Sequence, residues 1–137
     1  MSAHAARSQP SPDDFAHTSV MEWIGQDTIR MVTRGYVDVS LAQRNARKFE
    51  AMMDGAAPRW LLIDARDMTG YDLAARVSFE RQFRAFRKWG GEQVLLVNTS
   101  SVVSMVASAL SVVVELPMRI FATMDEALAY MGARRAS

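Results

Sequence analysis

The stretch Trp60-Leu61-Leu62-Ile63-Asp64-Ala65-Arg66-Asp67-Met68-Thr69-Gly70-Tyr71-Asp72 runs from an uninterrupted apolar segment into three carboxylates. Asp64, Asp67 and Asp72 are the residues whose type and spacing could do chemistry. Carboxylates gathered at a strand end suit Mg²⁺, which prefers oxygen ligands, and a phosphoryl-transfer site would use such an ion to neutralise developing charge. No Gly-rich phosphate cradle accompanies them, and no lysine stands at a late strand end. The structural alternative is simpler. Asp72 caps the helix that follows, and Asp64 or Asp67 accepts from loop N–H groups, with a cap worth ~1 kcal/mol.

Other catalytic arrangements find little material. There is no cysteine, so a thiol nucleophile, a thiolate metal site and a disulfide framework are excluded. The histidines are His4 and His17, both near the start and without an obvious partner residue. That leaves Ser-His-Asp chemistry and His-rich zinc spacing unsupported. The junction Asn98-Thr99-Ser100-Ser101 opens a helix with hydroxyls and free N–H groups. Such a start can hold an anion beside the aspartates, although hydroxyl caps are also what any helix start uses. No catalytic residue, metal site or cofactor is assigned.

The elements that must position these residues are readable in the rest of the chain. Its 137 residues suit one domain, and half of them are hydrophobic. A net charge of +1 excludes a generally basic nucleic-acid binder. No run is long and apolar enough to span a bilayer, and the start lacks a secretory signal. A cysteine-free chain fits the cytoplasm. Residues 1–16 read as a disordered tail, 17–133 as the domain and 134–137 as a frayed end. Strands at 18–24 and 28–35 form a hairpin around Gly25-Gln26-Asp27. Helix 38–54 carries Ser40 and Gln43 as a capping box, stops at Gly55 and turns Ala42, Ala46, Phe49 and Met53 to the core. Strand 60–65, helix 73–89, strand 93–98, helix 101–116, strand 118–121 and helix 123–132 follow. Pro117 ends the third helix, and Thr123 with Glu126 caps the last. The order β-β-α-β-α-β-α-β-α implies an α/β fold with a mixed, mostly parallel sheet of about five strands and about four helices.

The apolar run, Asp64, a short connection and then Asp72-Leu73-Ala74-Ala75 opening a helix resemble the signature segment of STAS-type domains, the fold of bacterial anti-sigma factor antagonists. That family reads Asp-Ser-Ser-Gly at this point, with the second Ser as phosphoacceptor. Here Ala74 holds the position and the hydroxyl is missing. The element order matches over nearly the whole chain beyond the N-terminal tail. The resemblance implies a non-enzymatic regulatory domain without the usual switch. It would bind a protein, an anti-sigma factor or kinase-like regulator, through residues 67–75 and the exposed start of the second helix. Asp67, Thr69, Tyr71, Asp72, Ala74, Arg76 and Arg84 are the residues expected there. Thr69 and Ser78 are the nearby hydroxyls able to take a phosphate, which a helix start would stabilise.

Two helices carry further signals. Ala75, Phe79, Phe83 and Phe86 form the core stripe of the second helix, and Arg76, Arg81, Arg84, Arg87 and Lys88 gather on its other face with Glu80. That face suits an acidic protein or anionic head group, or simply solvent. Nucleic acid is disfavoured because no aromatics interleave with the charges. On the third helix Ser101, Ser104, Ser108, Ser111 and Glu115 share one narrow arc and the rest is apolar. One-sided packing needs an apolar stripe of only ≳ 100°, about half of what this helix offers. Its cover would be a second copy, the closing helix through Ala127, Leu128, Tyr130 and Met131, or a bound ligand. Met105, Ala109 and Val112 mark that face as the contact of a homodimer or the lining of a site for a small apolar, lipid-like ligand. Carrier or sensor of such a ligand is the first alternative function, and a metal-dependent enzyme using the aspartates is the second.

Overall fold

The computed structural model describes residues 19–98 and 100–136. The expected tail, His4, His17, Thr18, Thr99 and Ser137 lie outside them. The first hairpin pairs β1 (Ser19–Ile24) antiparallel to β2 (Thr28–Val37), from Ser19↔Thr33 to Ile24↔Thr28. Gly25 supplies the positive φ its turn requires, +65°. Then come α1 (Val39–Met53), β3 (Trp60–Tyr71), a 3₁₀ turn (Leu73–Ala75) leading into α2 (Arg76–Lys88), β4 (Gln93–Val97), α3 (Ser101–Val114), β5 (Met118–Phe121) and α4 (Met124–Ala136). The sheet order is β1-β2-β3-β4-β5, with β2 to β5 parallel. The expected α/β class, mixed sheet and element order are all present.

Alternation along β3 and β4 sends successive side chains to opposite faces. Leu61 and Val94 enter a core with Phe49 and Met53 of α1, Phe83 and Phe86 of α2, and Leu110 and Val114 of α3. Trp60, Leu62, Leu95 and Val97 point the other way, onto Ala127 and Met131 of α4. Three helices therefore cover one face and one helix the other. No helix among the described residues is long and apolar enough to cross a membrane.

Several local expectations need correction. The cap of α1 is Asp38, whose Oδ1 accepts from the Leu41 N–H at 2.7 Å, and not Ser40. Asp is as good a cap as Ser, and β2 ends at Val37, one residue earlier. The expected box at α4 is present: the Thr123 N–H donates to Glu126 Oε1 at 3.1 Å, and the Glu126 N–H donates to Thr123 Oγ1 at 3.2 Å. That helix runs past 132 to Ala136. Its last turn is anchored by Arg135, which donates to Asp27 Oδ1 at 2.9 Å and lies over the Trp60 ring at 4.7 Å. The closing helix cannot cover α3, because it packs on the opposite face of the sheet. Val102, Met105, Val112 and Val113 of α3 stay exposed, at 55–77%.

Candidate protein-interaction surface

The largest departure from expectation lies in the carboxylate segment. β3 does not stop at Ala65; it continues to Tyr71, so the supposed loop is strand. β2 keeps pairing with it through Arg34↔Asp67, Gly35↔Met68, Tyr36↔Gly70 and Val37↔Tyr71, with two register shifts that place the extra residues on β3. The two strands end side by side. There the Tyr36 hydroxyl donates to Asp72 Oδ1 at 2.5 Å, and the Val39 N–H donates to Asp72 Oδ2 at 3.3 Å. The Asp72 N–H in turn donates to the Val37 carbonyl at 3.0 Å. Asp72 therefore does not cap the helix after it with its side chain. It ties the exit of β3 to the entrance of α1. Tyr36 lies across Gly70, where a Cβ would come within 3.2 Å of the ring. The bond to the Asp72 carboxylate, aided by burial and by the Asp72 and Asp38 charges, pushes the Tyr36 phenol above its ordinary value.

Asp64 is spoken for as well. Arg66 grips it with Nε at 2.9 Å and Nη2 at 2.8 Å, and the Arg66 N–H donates at 3.2 Å. These bonds hold the Asp64 carboxyl below the usual carboxylate range against the opposing effect of burial, and Arg30 adds to them. Asp67 is exposed. Asp64 and Asp72 thus bind different partners, and among the described residues no group of three His, Cys, Asp or Glu side chains gathers around one point. At the α3 start, Asn98 Nδ2 donates to the Ser100 carbonyl at 2.6 Å and to Ser104 Oγ at 3.0 Å, while Ser100 Oγ accepts from the Val103 N–H at 3.4 Å. The Asn98 and Ser100 side chains there serve the fold, and Thr99 lies outside the described residues.

What remains open is the start of α2. Ala75 is buried, and Phe79, Phe83 and Phe86 turn inward as the spacing requires. On the outside, Leu73 and Val77 are each 76% exposed. Ala74 and Arg76 stand exposed between them, and Thr69 is exposed on the end of β3. Arg76 has no ion pair among the described residues, whereas its neighbours are engaged. Arg81 donates from Nε and Nη2 to the two Glu50 carboxylate oxygens, each at 2.6 Å, Arg84 bonds Glu80 at 2.9 Å, and Arg87 reaches Glu115 at 3.9 Å. The positive face is thus partly neutralised.

Tyr71, expected on the partner surface, and Ser78, a candidate phosphate acceptor, point inward. The Tyr71 ring meets Phe79 edge-on at 5.8 Å, and Ser78 is 7% exposed, so a kinase could reach it only if α2 opened. Leu73 and Val77 were not among the expected site residues. The signal was available for Val77, which falls off the stripe of Ala75, Phe79, Phe83 and Phe86. Met105, Ala109 and Val112, marked as a ligand lining, face outward. The cavity of about 80 Å³ beneath α3 is lined instead by Val103, Val106, Ala107 and Leu110.

No protein-family model and no curated protein sequence matches the chain. Solved structures do. The anti-sigma factor antagonist SpoIIAA in its unphosphorylated form superposes with a TM-score of 0.66 at 16% identity, covering 83% of this chain and 97% of SpoIIAA. A Shewanella loihica protein with a SpoIIAA-like fold gives a TM-score of 0.63 at 14% identity, covering 82% and 91% of the two chains. An anti-sigma factor antagonist from Mycobacterium paratuberculosis gives a TM-score of 0.56 at 16% identity over 82% and 92%. The fold of this chain is STAS-like.

Proposed function

We propose that this chain is a non-catalytic regulatory module that binds a protein partner through the exposed start of α2 and the adjoining end of β3. One observation carries the reading: Leu73 and Val77 are each 76% exposed on a surface that the fold does not need. Exposed apolar side chains rimmed by a cation, here Arg76, which has no ion pair among the described residues, are how protein-binding surfaces are built. The partner meets Leu73, Ala74, Arg76 and Val77 at the centre, with Asp67, Thr69 and Arg84 at the rim. Likeness to anti-sigma factor antagonists supports an anti-sigma factor or kinase-like regulator as that partner. With Ala74 in the acceptor position, phosphate control falls to Thr69, the exposed hydroxyl nearby. A cysteine-free chain is consistent with a cytoplasmic setting.

The test is affinity capture from cells of the source organism, with bound proteins quantified. The double variant Leu73→Asp/Val77→Asp abolishes capture of a partner that the unaltered protein retains. Unchanged capture by the double variant places the partner elsewhere. We also assign self-association to the outer face of α3, where Met105, Ala109 and Val112 are exposed on a helix without a charge.

A further inference from the structure

The exposed start of α2 is bordered by charges of opposite sign. On one side stands Arg76, exposed and without an ion pair among the described residues. On the other side β2 ends, α1 begins and β3 ends, and this junction gathers Tyr36, Asp38 and Asp72. The Tyr36 hydroxyl donates to Asp72 Oδ1 at 2.5 Å, and its ring lies against Gly70. The residue nevertheless stays 42% exposed and joins none of the core clusters of the described residues. Asp38 is exposed and gives one carboxylate oxygen to the Leu41 N–H. The Tyr36 phenol is raised first by its bond to Asp72, then by burial and by the charges of Asp72 and Asp38, so both carboxylates lie within electrostatic reach of it. Between the two sides runs Asp72-Leu73-Ala74-Ala75-Arg76. This turn is fixed at both ends. The Asp72 N–H donates to the Val37 carbonyl at 3.0 Å, the Ala75 N–H donates to the Asp72 carbonyl at 2.9 Å, and Ala75 is buried.

We propose that Tyr36 belongs to the surface the protein partner meets, and that the partner seats a guanidinium there, over the Tyr36 ring and against Asp38 and Asp72, while one of its carboxylates meets Arg76. The contact presupposes the partner surface proposed at the start of α2. A guanidinium stacks on an aromatic face, and its planar fork matches a carboxylate, so ring and acids together favour it over a compact ammonium. Asp72 has room for it, because a carboxylate offers about four acceptor sites and this one uses two for Tyr36 and Val39. Tyr36 is already held by Asp72 and Gly70 in the free protein, so little of its freedom is left to lose on binding. Aromatic and arginine anchors of this kind carry much of the energy of protein interfaces. The acidic side, the apolar Leu73 and Val77, and the cationic Arg76 follow one another along the surface. That order admits a partner in one orientation, since the reversed one sets like charges against each other.

The probe is the protein whose capture Leu73→Asp/Val77→Asp abolishes, purified and titrated calorimetrically into the full chain. Tyr36→Ala is expected to weaken binding at least tenfold, and Tyr36→Phe, which keeps the ring, to weaken it less. Asp38→Asn keeps the α1 cap and removes the charge. It is expected to weaken binding at least threefold and to flatten its salt dependence. Arg34→Gln, which removes an exposed cation from the same strand, causes no loss. Unchanged affinity in Tyr36→Ala and Asp38→Asn overturns the proposal and leaves the surface at Leu73 and Val77 standing. A loss in Tyr36→Ala alone removes the guanidinium and overturns it as well. So does a loss in Arg34→Gln equal to that in Asp38→Asn, which marks a general disturbance of the β2 end. Should Tyr36→Ala fail to fold, Asp38→Asn decides. If no captured protein depends on Leu73 and Val77, the partner surface itself fails, and the Tyr36 contact falls with it.

Discussion

The Tyr36 hydroxyl donates to the Asp72 carboxylate at 2.5 Å across 36 residues of sequence, and this bond holds together the two strand ends that frame the start of α2. Asp72 also accepts from the Val39 N–H, so its two oxygens serve two elements. Asp72→Ala therefore lowers the melting temperature more than Tyr36→Phe does. Equal losses would show that the Val39 contact contributes nothing. The phenol is neutral when it donates, and its folded pKa is raised above the unfolded value of about 10. Its contribution is complete below pH ~10 and is lost as pH rises through the higher folded value. Phenolate absorbance should show a tyrosine that ionises above the free range and that disappears in Tyr36→Phe.

The Asp64–Arg66 pair gives the opposite pH dependence. Arg66 keeps the Asp64 carboxyl below its ordinary value. The contribution is present above the unfolded value of about 3.9 and is lost as pH falls through the lower folded value. Arg66→Ala raises the Asp64 pKa, measured by ¹³C carboxyl shifts. An unmoved titration would mean that Arg66 does not hold the carboxylate in solution.

Two glycines should respond to alanine with opposite signs. A Cβ on Gly91 would lie 2.4 Å from the ring of Phe86, which is fully buried and cannot retreat. Gly91→Ala should destabilise by about 1–3 kcal/mol as overpacking does. Gly132 sits in α4 with nothing within 4 Å of an added Cβ. Gly132→Ala should stabilise by roughly 0.5–1 kcal/mol through helix propensity. Urea denaturation of both variants reads the two signs.

The α3 surface makes a prediction about assembly. Val112 is 77% exposed and Met105 is 66% exposed. If self-association uses this face, Val112→Asp and Met105→Asp give monomers by light scattering where the unaltered chain gives a dimer. A variant that stays dimeric moves the contact to another face.

Much of the fold was legible because it rests on local periodicity. The Phe79, Phe83 and Phe86 stripe and the apolar runs at Trp60 and Val94 declare which sides are buried. The second half of β3 was not legible. Arg66, Asp67, Thr69 and Gly70 read as a loop, and only the pairing of β2 through Val37 makes them strand. The role of Asp72 was hidden for the same reason, since its partner Tyr36 lies in another element. Asn45 and Gln82 have no place in the sequence reading although both stand on buried helix faces. Asn45 interrupts the stripe of Ala42, Ala46 and Phe49, and Gln82 sits among the phenylalanines of α2, so each places an amide where periodicity demands an apolar side chain.

The most direct measurement is photo-crosslinking in cells of the source organism, with p-benzoylphenylalanine replacing Ala74 at the centre of the proposed surface. The control carries the same probe in place of Leu128, which is 47% exposed on α4 across the sheet. A light-dependent adduct to one protein from position 74, absent from position 128, is the expected result. No adduct from position 74, or the same adducts from both positions, would contradict a partner surface at the start of α2.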